Sequence, residues 1–135
     1  MQKECPFCNL VNHTSPASYV YEDDAVLAFM DIRPISKGHV LVIPKTHYQN
    51  IYEIPSNEVS YLFKIVKKIA LAMKKALSVD GLSIAQNNGA IAGQVIFHLH
   101  IHLIPRYNHI ARRKERWTMT QDQLDTLAAK IQRFL

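Results

Sequence analysis

From His98 to Leu103 an imidazole alternates with an aliphatic side chain at every step. An extended strand sends successive side chains to opposite faces, and like faces recur about every 6.6–6.8 Å. The pattern therefore places His98, His100 and His102 on one face and Leu99, Ile101 and Leu103 on the other. The aliphatic face needs a covering layer. The imidazole face must be polar, because each buried ring needs hydrogen-bond partners. This stretch calls for a sheet packed on helices on one side and lined for chemistry on the other.

The rest of the chain supplies both layers. Residues 19–30 read as a hairpin, two β-rich runs about the polar turn Glu22-Asp-Asp24. Asp31-Ile-Arg-Pro34 breaks the chain, and a third strand covers residues 39–43 and closes at Pro44. Over residues 56–78, Val59, Leu62, Phe63, Val66, Ile69, Ala70, Met73 and Leu77 draw one helical stripe. Ser56 or Asn57 is placed to cap that helix, and Gly81 lies near its expected C-terminal glycine. A short strand over 82–85 and a loop over 87–93 follow, then a strand over 95–104 that stops at Pro105. Thr120 and Gln123 form a capping box ahead of a second amphipathic helix carrying Leu124, Leu127, Ala128, Ile131 and Leu135. Strands joined by short turns pair antiparallel. The predicted class is α+β, with about five antiparallel strands, one long helix and a C-terminal helix.

A chain of 135 residues reads as one domain, 1–135, without repeat or linker. With 48% hydrophobic and 20% charged residues it is neither disordered nor a coiled coil. No apolar run approaches the ~20 residues of a membrane span, and no signal-peptide pattern is visible, which predicts the cytoplasm. Sixteen Lys and Arg against eleven Asp and Glu give +5. The lysines at 64, 67, 68, 74 and 75 fit a solvated helix face. Arg112, Arg113, Lys114 and Arg116 could touch phosphates or form a solvated loop; the loop is favoured, and a nucleic-acid partner is not expected.

Three readings of the histidine face compete: half-exposed side chains on a sheet, a metal site, or phosphoryl-transfer chemistry. In the last, a neutral imidazole attacks phosphorus while its neighbours bind the phosphate oxygens. Cys5 and Cys8 are the only cysteines. Their Cys-x-x-Cys spacing supplies half a tetrahedral zinc site or a redox pair; a disulfide is not the default in the cytoplasm.

These residues resemble the histidine-triad (HIT) superfamily. His98-Leu-His-Ile-His-Leu-Ile104 is similar to its signature. Tyr21-Glu-Asp-Asp-Ala-Val-Leu-Ala-Phe-Met-Asp-Ile32, Gly38-His-Val-Leu-Val-Ile-Pro-Lys-Thr-His47 and Asn87-Asn-Gly-Ala-Ile-Ala-Gly-Gln94 are similar to other blocks in the family order. The resemblance covers a core of about residues 5–106, followed by an extension, 107–135. It is strongest to the Hint-like branch with an N-terminal Cys-x-x-Cys; the ending Ile-Pro-Arg106 is shared with the Fhit branch.

The resemblance implies a hydrolase or transferase that cleaves the α-phosphate linkage of purine nucleotide derivatives, such as phosphoramidates or dinucleoside polyphosphates. It implies His100 as nucleophile and His102 on the phosphate oxygens. His39 completes the cluster, and the His98 carbonyl holds the His100 ring. It implies Asp31 for the ribose hydroxyls, Phe7, Leu10, Phe29 and Ile32 for the base, and Asn87, Gly93 and Gln94 beside the phosphates. A structural zinc on Cys5, Cys8, His47 and His98 is implied too. So is a homodimer whose two sheets join near residues 81–87, with the segment after the triad strand reaching toward the partner's site. Val95 departs from the Ser or Thr common at that position and removes a proton donor near the leaving group. The rival functions are a nucleotide-binding regulatory module and a zinc enzyme that uses all three triad histidines as ligands.

Overall fold

A computed structural model describes residues 5–135. The elements run α1 (Pro6–Val11), β1 (Tyr19–Glu22), β2 (Val26–Met30), β3 (Val40–Pro44), α2 (Ser56–Leu77), β4 (Gly81–Ala85), a 3-10 turn (Ala90–Ala92), β5 (Ile101–Arg106) and α3 (Gln121–Gln132). The strands form one antiparallel sheet in the order β1-β2-β3-β5-β4, the α+β class read from the sequence.

Every residue of β2 and β3 is buried, because this sheet is covered on both faces. Val26, Ala28, Met30, Val40 and Val42 pack with Leu99, Ile101 and Leu103 against Leu62, Val66, Ile69 and Met73 of α2 and Leu124, Leu127, Ala128 and Ile131 of α3. The alternate residues Leu27, Phe29, Leu41 and Ile43 pack on the opposite face against Phe7. The aliphatic half of the triad alternation thus lies in the helix-covered core. The segment beyond residue 106 contributes α3 to that core, so it is part of the folded body. Among the described residues no helix is long and apolar enough to cross a membrane.

Several local expectations are corrected. The triad strand begins at Ile101, not at residue 95. Its ladder with β3 stops at Val42↔Ile101, and β4 ends opposite His102. Upstream, Pro44 has no N–H to give, and its carbonyl accepts from the His98 ring at 2.8 Å. The Leu99 N–H turns instead to the Tyr48 carbonyl at 2.7 Å. The strand also passes through Pro105 to Arg106. The Arg106 carbonyl accepts from Asp80 on the β4 side, so the nitrogen of Pro105 faces the β3 side, where β3 has not yet begun.

The N-cap of α2 is Pro55 without any side-chain bond, rather than Ser56 or Asn57, and its carbonyl accepts from Glu58 and Val59. The helix ends with Ser78 in the left-handed conformation, φ 51°, while Gly81 opens β4. The Thr120–Gln123 capping box forms, but Leu135 falls beyond α3. Helix α1 had no periodic signal: it is one turn and a half, started by Pro6 and capped by the Cys5 sulfur, which accepts from the Cys8 N–H at 3.3 Å.

Candidate active site

The sheet face opposite α2 and α3 holds a cavity of about 750 Å³. The break at residues 31–35 and the loop at residues 87–96 form its rims, and β5 and α1 wall it. The proposed residues Phe7, Leu10, Phe29, Asp31, Ile32, Asn87, Gly93, His100 and His102 all line it. The apolar end is built on Phe7, whose ring stands edge-on to Phe29 at 5.3 Å and to His100 at 5.1 Å. Gly93 takes φ +96°, a conformation that favours glycine, while a Cβ there would make only an ordinary contact with the Asn87 amide at 3.5 Å.

Three of the proposed residues stand apart from the lining. His39 is fully buried behind His102. His98 is fully buried with its ring turned to the cysteines. Gln94 is 3% exposed, and its amide serves the backbone. It accepts from the Gly89 N–H at 2.8 Å and donates to the carbonyls of Gln49 at 2.7 Å and Ile96 at 3.1 Å, so it shapes the loop.

Hydrogen-bond partners fix the imidazole protons. Carbonyl oxygens only accept and backbone N–H groups only donate, so the ring atom facing each is decided. His100 Nδ1–H donates to the His98 carbonyl at 2.7 Å, which leaves Nε2 with its lone pair. His39 Nδ1 accepts from the Ile35 N–H at 3.0 Å, so His39 is neutral with its proton on Nε2. That Nε2–H donates to His102 Nδ1 at 3.0 Å, so His102 is neutral too and carries its proton on Nε2. The cavity therefore receives one imidazole lone pair and one imidazole N–H.

Burial is the first cause of neutrality. It pushes the His39 pKa down to about 3, helped by His102 and then Arg116. It pushes His102 down to about 4, helped by His100 and Arg116. His100 is also lowered by burial, against the opposing pull of the His98 carbonyl and the Asp31 charge. Asp31 is raised by burial, opposed by the Arg33 N–H and the Arg116 charge. His39 Nε2 lies 3.6 Å from Asp31, but a neutral ring whose proton points at His102 makes no ion pair there.

A second cluster lies behind the site. The donor atoms of Cys5, Cys8, His47 and His98 all lie within 4.8 Å of one another. Tetrahedral zinc, with sulfur at ~2.3 Å and nitrogen at ~2.0–2.1 Å, separates its ligand atoms by about 3.3–3.8 Å. Here Cys5 Sγ stands 3.4 Å and Cys8 Sγ 3.6 Å from His98 Nδ1; His47 Nδ1 stands 3.3 Å from Cys8 Sγ and 3.2 Å from His98 Nδ1. His98 Nε2–H is spent on the Pro44 carbonyl, so Nδ1 offers a lone pair to the cluster. Donor set and spacing are compatible with a metal site.

Asp31, His39 and His102 also converge. There the His39 proton occupies the nitrogen a metal would need, because Ile35 holds the other one. The triad itself divides three ways: His98 faces the cysteines, His100 a carbonyl, His102 the cavity. A single ion on all three histidines does not fit this arrangement.

Sequence reasoning placed Arg116 in a segment that reaches toward a partner's site, where its charge would attract a phosphate-bearing leaving group, and missed it as a residue of its own chain's cavity. Its Nη1 donates to Asp31 Oδ2 at 3.2 Å and to the Arg33 carbonyl at 2.8 Å. The Trp117 N–H anchors the same segment on the Pro34 carbonyl at 2.8 Å. The segment expected to reach toward a partner's site thus brings Arg116 into the cavity of its own chain. The basic run was visible in the sequence; its return to residues 31–34 was not.

A five-stranded antiparallel sheet with three alternating histidines, one turned to a cysteine cluster and two lining a cavity on the face away from α2 and α3, defines a histidine-triad protein. The chain belongs to the HIT domain family, whose profile matches residues 12–109. It is 45% identical over 106 residues to the adenylylsulfatase HINT3 of Arabidopsis thaliana, a stretch covering 78% of this chain and 54% of that protein. A Hit-like protein involved in cell-cycle regulation from Bartonella henselae superposes with a TM-score of 0.93 at 38% identity, over 100% of this chain and 98% of its own. A Zn-bound histidine triad family protein from Mycobacterium smegmatis superposes with a TM-score of 0.84 at 36% identity, over 96% and 94%.

Proposed function

We propose that the protein hydrolyses or transfers the nucleotidyl group of purine nucleoside 5′-phosphate derivatives through a covalent nucleotidyl-His100. The observation that carries this reading is the His100 ring: the His98 carbonyl holds its Nδ1 proton, and Nε2 presents a bare lone pair to the cavity beside His102 Nε2–H. His100 Nε2 bonds to phosphorus as the bond to the leaving group breaks. His102 Nε2–H binds a phosphate oxygen and spreads the charge that develops there. Water then attacks the nucleotidyl-imidazole, releases the nucleoside monophosphate and restores the ring. Asp31 is set for the ribose hydroxyls, and Phe7, Leu10, Phe29 and Ile32 for the purine. The Arabidopsis relative's adenylylsulfatase name supports the reaction class.

Cys5, Cys8, His47 and His98 would hold zinc, which the Mycobacterium smegmatis relative also binds. The ion would cross-link α1 to the segments that follow β3 and precede β5, and keep Phe7 in the wall. A homodimer belongs to the same reading, with the free edge of β4, where Ile84 is 49% exposed, available for continuing the sheet. So does a cytoplasmic location. A second reading, a nucleotide-binding regulatory module with incidental turnover, is favoured by Val95, which brings no proton donor to the cavity.

The test is His100→Ala and His100→Gly assayed on adenosine phosphoramidates, dinucleoside polyphosphates and adenosine phosphosulfate, with acid-quenched wild type examined by mass spectrometry for nucleotidyl-protein. His100→Ala should bind AMP normally and lose at least about a thousandfold in turnover. Turnover within about tenfold of wild type refutes His100 as nucleophile.

A further inference from the structure

The cavity has a charge problem. A nucleoside 5′-phosphate derivative brings at least one negative charge, yet the hydrogen bonds make His39 and His102 neutral, and Asp31 adds a negative charge of its own. Neutral N–H groups orient a phosphate oxygen without balancing its charge. The cations of the lining are Arg33 and Arg116. Arg116 is the one whose guanidinium is fixed inside the rim, on Asp31 Oδ2 at 3.2 Å. The anchored Trp117 N–H, and Arg113 stacked over the Trp117 ring at 4.3 Å, hold the backbone beside it. With 42% of its side chain open to solvent, Arg116 can leave the carboxylate at little desolvation cost.

We infer that Arg116 is the exchangeable counter-ion of this site: it neutralises Asp31 in the free protein and transfers to the substrate's phosphoryl charge when ribose hydroxyls take its place on the carboxylate. The inference rests on the proposed function and names its substrate class, nucleoside 5′-phosphate derivatives with an anionic leaving group such as sulfate or phosphate. A second observation points the same way. Residues 93–96 border the cavity through Gly93, Val95 and Ile96, none with a side-chain O–H or N–H to donate, while Gln94 is turned to the backbone. An amine leaving group needs a proton; sulfate and phosphate depart as anions without one.

The experiment separates charge from fold. Wild type, Arg116→Gln, Arg116→Lys and, as a control outside the cavity, Arg112→Gln are titrated calorimetrically with adenosine and with AMP. Their kcat/KM values are then compared on adenosine phosphosulfate and on an adenosine phosphoramidate. Arg116→Gln should weaken AMP by about tenfold, leave adenosine within about threefold, and lower the phosphosulfate-to-phosphoramidate ratio by about tenfold. Arg116→Lys should retain most of the AMP preference, and Arg112→Gln all of it. Equal losses for adenosine and AMP, or none for either, overturn the inference. If wild type hydrolyses neither substrate, the proposed function fails, while the adenosine–AMP comparison still decides the role of Arg116.

Discussion

The paired neutral histidines make this fold sensitive to acid in a window that can be worked out in advance. In the unfolded chain each imidazole takes a proton near pH ~6.5. Folded, burial holds His39 unprotonated down to about 3 and His102 down to about 4. The unfolded state therefore binds more protons between those limits, and stability rises with pH across them. The contribution is fully present above the unfolded value and is lost as pH falls below it. At pH 5 the buried His39 costs about 2 kcal/mol relative to pH 7.5, and the more solvent-open His102 about 1 kcal/mol after screening, so the pair costs about 3 kcal/mol, a large share of a typical domain's stability. Asp31, raised by burial, works in the opposite direction at lower pH. The charged and titratable groups facing the pair are Arg116, Arg106, His100 and Asp31.

Urea unfolding at pH 7.5 and pH 5 measures the difference. Wild type should lose at least about 3 kcal/mol, because His98, which burial also holds down to about 4, adds to the pair. His39→Gln can still accept from Ile35 and donate to His102, and it should lose about 2 kcal/mol less than wild type. Comparing variant with wild type cancels any acid release of metal from the cysteine cluster. An equal pH dependence in the two proteins, or a flat one in wild type, refutes the neutral His39–His102 pair.

Two further outcomes are expected. Protein purified without added metal should hold about one zinc per chain. Cys8→Ser should release it, lower the melting temperature, and weaken nucleotide binding because α1 carries Phe7 and Leu10; a metal-free protein with two titratable thiols contradicts this. Sedimentation at micromolar concentration should report about twice the chain mass of 15.5 kDa, and a charged residue at Ile84 on the free edge should shift it toward monomer; a wild-type monomer contradicts the joined sheet.

What was legible in the sequence is what local rules govern. The period of two from His98 to Leu103 assigned Leu99, Ile101 and Leu103 to the core and the histidines away from it. The stripe over α2 and the Thr120–Gln123 box marked both long helices. The resemblance named nine residues that line one cavity, Phe7, Leu10, Phe29, Asp31, Ile32, Asn87, Gly93, His100 and His102, while His39, His98 and Gln94 are buried apart from it. Helix α1 escaped because six residues show no period, and its start rests on a sulfur cap and on the contacts of Phe7.

Tertiary structure alone decided the rest. The alternation of histidines did not say that their strand loses its ladder before Ile101, because that depends on where β3 and β4 end. It did not say which nitrogen of each ring carries the proton, because Ile35, Pro44 and the His98 carbonyl come from three places in the chain and a tautomer follows its partner. Nor could a run of basic residues show Arg116 lying on Asp31, 85 positions away. Side-chain type and period are properties of neighbours along the chain. Charge balance and proton position are properties of neighbours in space, and in this protein those are set by the loops that close over the sheet.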